Sequence, residues 1–463
     1  MRKAIFFLLL ALLASCGDDS AAAPTRESVS IQDVPVSTID AKVDPVQRSL
    51  SMLAQFEAGD FESVVAQFDQ TMKDALSVDQ LQKTWIDLNQ QTGEFVEILN
   101  TRELSQEPYS VVIVTCQFET MIIDVQTAYN EVGEISGLYF RPGADPNVSQ
   151  DSAAYVNQDA FEEESVTIGA ESEYPLPGTL TLPLDAGPFP AVVLVHGSGP
   201  LDMDSTIGPN KPFRDLAWGL ASQGIAVLRY DKRTWVYAEQ IQEQMNTLTV
   251  DDETILDVHI ALTLLRERPD IDHQQLYVIG HSLGGMLAPR IAEEDPLLAG
   301  IVLLAGNSRP IEDLMLEQSG YLLSFEADPS EEVLKLLEDL EAQVELVKSN
   351  ELNVDTPPDQ LPMGVPAAYW LGLREYSPAQ TAAELTIPIL LLHGERDYQV
   401  TAADMQLWEE SLTGKDQVTF ISYPSLNHLF MSGEGPSLPK EYMELGHVDA
   451  AVVSDIANWI LSH

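Results

Sequence analysis

Basic residues are scarce in this chain of 463 residues: 24 Lys and Arg stand against 73 Asp and Glu, a formal net charge of −49. A surface of that sign repels phosphodiester backbones and anionic headgroups, which excludes nucleic acid and membrane surfaces as electrostatic partners. It suits salty surroundings, where self-repulsion is screened, and says little about chemistry. Cysteine occurs only at Cys16 and Cys116, too few for a disulfide framework. Long apolar runs are missing too. The longest, Ala4 to Ala14, covers 11 residues, where a membrane span needs about 20. Histidine is absent between Asp44 and Arg141, so that stretch lacks the side chain most often used for proton transfer.

What is present is organised around Gln275 to Ile291, QLYVIGHSLGGMLAPRI. Leu276 to Ile279 is a short apolar run of β-branched and aromatic character, which predicts a buried strand. Gly280, His281, Ser282, Leu283 and Gly284 follow, then Gly285 and a helical stretch interrupted by Pro289, which should bend it. Strand, sharp turn and helix, with serine at the apex, is the setting of a G-x-S-x-G nucleophile elbow. The glycines lack a Cβ, so strand and helix can approach closely around a strained serine. Helix-start N–H groups then face the space above the hydroxyl, where negative charge develops. The competing reading is a glycine-rich turn with an idle serine, and the downstream sequence decides between them.

Ile387 to His393, IPILLLH, is a second buried strand running into Gly394, Glu395, Arg396 and Asp397. Gln417 to Tyr423, QVTFISY, is a further strand, followed by Pro424 to His428. Serine, then an acid past one strand, then a histidine past the next, is the order expected of α/β-hydrolases. The stretches HGSGP, LRYDKR, GHSLGG, HGERD and NHLF together resemble that superfamily, and within it the dienelactone-hydrolase and prolyl-oligopeptidase-like esterases. The resemblance runs from about Glu162 to His463. It implies an α/β fold with a mostly parallel central sheet, in which Ser282 attacks, His428 takes its proton and Asp397 orients the imidazole. It also implies an oxyanion hole from the N–H groups of Ser198, after strand Ala191–Val195, and of Leu283. No cofactor or metal is implied. Asp202 and Asp204 lack the third ligand a cation would need and read as loop acids. Asp231 and Arg233 read as an ion-pair or cap. His447 also follows Asp397. It is read as opening a final helix, Val448 to Leu461, where the helix dipole disfavours an imidazolium, so His428 is preferred as the base.

Residues 307–386 break the strand–helix alternation with helices at Ile311–Phe325, Glu331–Lys348 and Ala367–Leu373, and read as a helical lid over the carboxyl edge of the sheet. Tyr369, Trp370 and Leu373 are candidates to line an acyl pocket, with ordinary packing as the alternative.

The other end of the chain has its own organisation. Arg2 and Lys3 before the apolar run make residues 1–15 a secretory signal. Leu13-Ala14-Ser15-Cys16 resembles the lipobox of bacterial lipoproteins, which implies lipidation at Cys16 and a chain tethered to a membrane of the bacterial cell envelope. Loss of Arg2 and Lys3 would leave 22 basic residues and a charge of −51, and Cys116 without a disulfide partner. Residues 16–43 read as a flexible stalk, and 142–159 as a polar linker leading into a hydrolase domain over 160–463. Between them, 44–141 reads as a small α+β domain. Helices are expected at Pro45–Ala58, Asp60–Thr71 and Val78–Asn89, and strands at Gly93–Leu99, Tyr109–Phe118, Met121–Tyr129 and Ile135–Phe140. Cys116 falls on an apolar strand and is assigned to its core.

The function expected is therefore a serine carboxylesterase acting on a small-molecule ester. A prolyl-oligopeptidase-like peptidase is the first alternative, although the chain has no room for a propeller. An acyl-CoA thioesterase is the second, disfavoured by CoA's negative charge and by export. A non-catalytic envelope binding protein with a retained fold is the alternative of another class. Such a protein would usually have lost a triad member, and none is missing.

Overall fold

The computed structural model describes residues 44–106, 109–119, 121–143, 152–243 and 247–463. The expected signal peptide, stalk and Cys16 lie outside the described residues. The chain divides into two units, the second spanning Ser152–His463.

In the first unit, α1 (Pro45–Glu57), α2 (Phe61–Ala66), α3 (Gln70–Ala75) and α4 (Val78–Thr92) precede an antiparallel meander of β1 (Phe95–Gln106), β2 (Tyr109–Phe118), β3 (Ile122–Tyr129) and β4 (Ile135–Pro142). Asp44, Asp60, Asp69 and Ser77 each accept a backbone N–H at the start of a helix, satisfying donors that have no partner within the helix. One helix had been expected over 60–71. It is two, because Phe68 leaves the helical path to bridge Ile135 and Asp69 caps a new start. One face of the sheet sets Val112, Val114 and Cys116 against Phe56 and Trp85. Cys116 is wholly buried, and that burial pushes its thiol well above the usual range.

The second unit is built on an eight-stranded sheet. Its strands are β5 (Phe161–Ile168), β6 (Leu176–Pro183), β7 (Phe189–Val195), β8 (Ala226–Tyr230), β9 (Ile271–His281), β10 (Gly300–Leu304), β11 (Ile389–Gly394) and β12 (Val418–Tyr423). Their order is β12-β11-β10-β9-β7-β8-β6-β5. Every pairing from β8 to β12 is parallel, and β5 and β6 add an antiparallel edge. The central strands are apolar on both faces, as parallel strands covered by helices require. Val193, Val278, Ile301 and Leu391 face α6 (Leu256–Arg266), α7 (Leu283–Glu294) and, beyond the insertion, α12 (Ala402–Leu412). Their neighbours Val192, Tyr277, Val302 and Leu390 face α5 (Pro212–Ala221) and α13 (Ala450–Ser462). Fully burying each such aliphatic side chain contributes about 1.5–3 kcal/mol.

The insertion between β10 and β11 contains α8 (Ile311–Leu323), α9 (Glu331–Lys348), α10 (Ala367–Arg374) and α11 (Pro378–Glu384). Asp404 in α12 is fully buried. It accepts the N–H groups of Ser308 and Arg309 at 3.0 Å each, fixing the point where the insertion leaves the sheet. Part of the stretch expected as a linker, 142–159, lies outside the described residues. Ala153 is buried, and Tyr155 donates to the Val448 carbonyl at 2.8 Å, so 152–159 belongs to the second unit.

Candidate active site

After β7 the chain moves to β8 on one side, and after β9 it moves to β10 on the other. Loops leaving β7 and β9 therefore meet at the point where a doubly wound sheet opens a crevice. Ser282 lies there, between β9 and α7, with φ +54° and ψ −116°. That left-handed backbone costs a non-glycine residue of order 1–3 kcal/mol. It is held from both sides: Ser282 N–H donates to the Leu304 carbonyl and Met286 N–H to the Ser282 carbonyl, each at 2.9 Å. Close approach explains the glycines. A Cβ on Gly280 would collide with the Gly284 carbonyl, and one on Gly284 with the Val195 carbonyl at the end of β7. A Cβ on Gly197 would sit 3.3 Å from that of Ser282, so the His196–Pro200 loop adjoins the serine.

Asp397 and His428 are brought together from loops after β11 and β12. Both are buried, and His428 Nδ1 lies 2.6 Å from Asp397 Oδ2. The other carboxylate oxygen accepts Gln399 and Val400 N–H at 2.7 and 3.0 Å. With Oδ1 held by those donors, Oδ2 is aimed at Nδ1, an arrangement in which an Nδ1–H donates to the carboxylate and Nε2 is left to take a proton. His281, the residue before Ser282, donates from Nε2 to the His428 carbonyl at 2.9 Å, with ring centroids 4.7 Å apart. Burial above all, and then the neighbouring His428, lowers the His281 pKa to about 3, so it remains neutral. His196 is likewise lowered to about 3, chiefly by burial.

His447 is placed differently from expectation. The final helix begins at Ala450, with Asp449 as its N-cap accepting Ala451 N–H at 2.8 Å, so His447 stands before the helix. A capping aspartate placed after it moves the start of the helix. The His447 Nδ1 contacts Asp215 at 3.1 Å, and Val448 N–H donates to the same carboxylate. Burial raises the Asp215 pKa more than these contacts lower it.

The loop acids are internally used. Asp202 accepts Thr206 N–H and Oγ1–H, while Asp204 pairs with Lys211 and Arg229. Asp231 accepts Met203 N–H, and Arg233 pairs with Asp257. Among the described residues no group of three or more His, Cys, Asp or Glu is arranged to hold a metal ion. Trp370 and Leu373 line a cavity of about 420 Å³ with Met286, Ile311 and Val347. Tyr369 does not. Its hydroxyl turns inward to donate to Glu253 at 2.7 Å, because that buried carboxylate needs a donor. Sequence reading passed over Lys232, which is almost fully buried, pairs with Glu253 at 2.8 Å and donates to two carbonyls of the loop containing Ser198. A lysine just past the apolar run Ile225 to Leu228 was the available signal.

The chain is similar to known proteins in both of its parts. Residues 188–434 match the family described as serine aminopeptidase, S33, and residues 49–138 match a protein family of unknown function, DUF3887. The esterase EstD of Thermotoga maritima is 41% identical over 416 residues, 90% of this chain and 95% of that protein. A monoacylglycerol lipase of Mycolicibacterium smegmatis is 28% identical over 211 residues, covering 42% of this chain and 65% of that protein. Among solved structures, Est1E from Butyrivibrio proteoclasticus is 13% identical with a TM-score of 0.43, covering 65% of this chain and 99% of that one. The matching family model spans more than half of the sequence: the chain belongs to the serine aminopeptidase S33 family and is a hydrolase of the α/β-hydrolase fold.

Proposed function

We propose that this protein is a serine carboxylesterase that works through an acyl-enzyme on Ser282. The observation that carries the reading is the 2.6 Å Asp397–His428 bond, held beside the elbow by the His281 contact. His428 Nε2 removes the Ser282 proton as Oγ attacks the ester carbonyl. Asp397 stabilises the imidazolium without becoming protonated. The carbonyl oxygen takes up negative charge in front of the Ser198 and Leu283 N–H groups and the start of α7. Collapse transfers the proton to the departing alcohol, and water then repeats the sequence with roles reversed. EstD, named an esterase and matching almost the whole chain, supports ester rather than amide cleavage.

The matching family's description as an aminopeptidase keeps peptide hydrolysis as a second reading. A screen of p-nitrophenyl esters of increasing acyl length, run beside aminoacyl p-nitroanilides, separates the two. Ester turnover and serine labelling by a fluorophosphonate are expected. Turnover confined to the anilides would overturn the esterase assignment.

Export and anchoring through Cys16 complete the proposal, on the strength of the Leu-Ala-Ser-Cys run and the apolar segment before it. Cys16→Ser is expected to move the protein from the membrane pellet to the soluble fraction. An intact mass showing unmodified Cys16 would refute the anchor.

A further inference from the structure

Among the few basic residues of this chain, Lys232 has an unusual place. Its side chain is 2% exposed, and its ammonium has an acceptor for each proton. These are the Gly197 carbonyl at 2.9 Å, the Gly199 carbonyl at 3.0 Å and Glu253 Oε1 at 2.8 Å. Burying an ammonium is unfavourable unless it is paired and fully hydrogen-bonded, and replacing a whole buried ion pair by apolar side chains of similar volume is often neutral or stabilising. The charge therefore calls for a reason beyond packing.

We propose that Lys232 is a positioning residue of the oxyanion hole, orienting and polarising the peptide that presents the Ser198 N–H. The proposal rests on the reading of Ser198 as an oxyanion donor. The Gly197 carbonyl and the Ser198 N–H belong to one planar peptide unit and point in opposite directions. An ammonium held on the carbonyl oxygen fixes the plane and so the direction of the N–H. It also draws electron density toward the oxygen, which strengthens the N–H as a donor, as expected of bonds in series in a low-dielectric site. The second bond, to Gly199, fixes the other side of Ser198, so the residue hangs between two anchored carbonyls.

The anchor is itself held. Lys232 N–H donates to the Leu201 carbonyl at 3.0 Å, tying the end of β8 to the same loop. Glu253 takes the third ammonium proton and directs the other two at the loop. It lies in a π-helical turn, Asp251–Ile255, and its second oxygen accepts the Tyr369 hydroxyl at 2.7 Å. Tyr369 belongs to α10 of the insertion, so one continuous set of hydrogen bonds joins the insertion to the loop of Ser198.

The test uses the full-length protein and two probes, a trifluoromethyl ketone and its methyl ketone parent. The first adds to the serine as a tetrahedral oxyanion, and the second samples ground-state binding. Lys232→Met should lower kcat about 30-fold, less than the roughly 100- to 1,000-fold cost of deleting a donor outright, with KM within about twofold. The preference for the trifluoromethyl ketone should shrink by the same factor as kcat/KM. An unchanged preference would overturn the proposal, and so would equal weakening of both ketones, which marks a general loss of structure. If the wild type shows no preference, the oxyanion-hole reading itself fails. Should Lys232→Met not fold, Lys232→Met with Glu253→Gln leaves no uncompensated buried charge and gives the same readouts. Failure of both to fold would assign the pair to stability and overturn the proposal.

Discussion

Ser282→Ala is expected to reduce kcat by about 10⁶-fold on any ester the wild type cleaves, a loss typical of a triad member acting as part of a unit. Fluorophosphonate labelling should vanish with it. The fold should survive, because Ser282 contributes no side-chain cap to α7 and its backbone bonds, to Leu304 and from Met286, are independent of the hydroxyl. Ser282→Gly extends the argument. It removes the same nucleophile but also relieves the left-handed backbone at φ +54°, so it should be more stable than Ser282→Ala by about 1 kcal/mol. Urea unfolding of the two variants checks that order. Full labelling of either variant would mean that the elbow is not the nucleophile's seat, and a glycine variant less stable than alanine would mean that it is not strained.

How much of this was legible beforehand follows from the range of the interactions. Strands β7, β9 and β11 read clearly because each is a continuous apolar run whose alternate residues supply the two cores. The elbow read clearly because its requirements are local: glycines at 280 and 284 exist to admit the carbonyls of Gly284 and Val195. Asp397 and His428, which the structure brings to within 2.6 Å of each other, were singled out by chain order. Features with distant partners were not legible. Lys232 and Glu253 are 21 positions apart across a segment without clear periodicity, and Tyr369 reaches Glu253 from a different element. Nothing in the aromatic spacing of α10 said that Tyr369 would turn away from the cavity its neighbour Trp370 lines. Helix boundaries failed where one capping side chain outweighed apolar periodicity, at Asp69 and again at Asp449.

That second boundary changes the ground on which the base is assigned. The helix dipole no longer argues against His447, since Asp449 rather than His447 begins α13, and His447 has a carboxylate partner of its own in Asp215. The choice rests on position. The His428 ring lies 4.7 Å, centroid to centroid, from that of His281, the residue that precedes Ser282, whereas the partner of His447 lies on α5, which packs on the Tyr277 face of the sheet. His428→Ala is therefore expected to lose about as much activity as Ser282→Ala, near 10⁶-fold, and added imidazole should recover part of it. His447→Ala should keep kcat within a few-fold. Its effect should appear in stability instead, because buried Asp215 would retain the Val448 N–H but lose its histidine. Leaving a buried carboxylate short of a partner costs about 1–3 kcal/mol, and the 27% exposure of His447 places the expected loss near the lower end. Assaying both variants on one ester, beside urea unfolding, separates the roles. Near-wild-type turnover in His428→Ala, or collapse of kcat in a stably folded His447→Ala, would transfer the base to His447 and its carboxylate to Asp215.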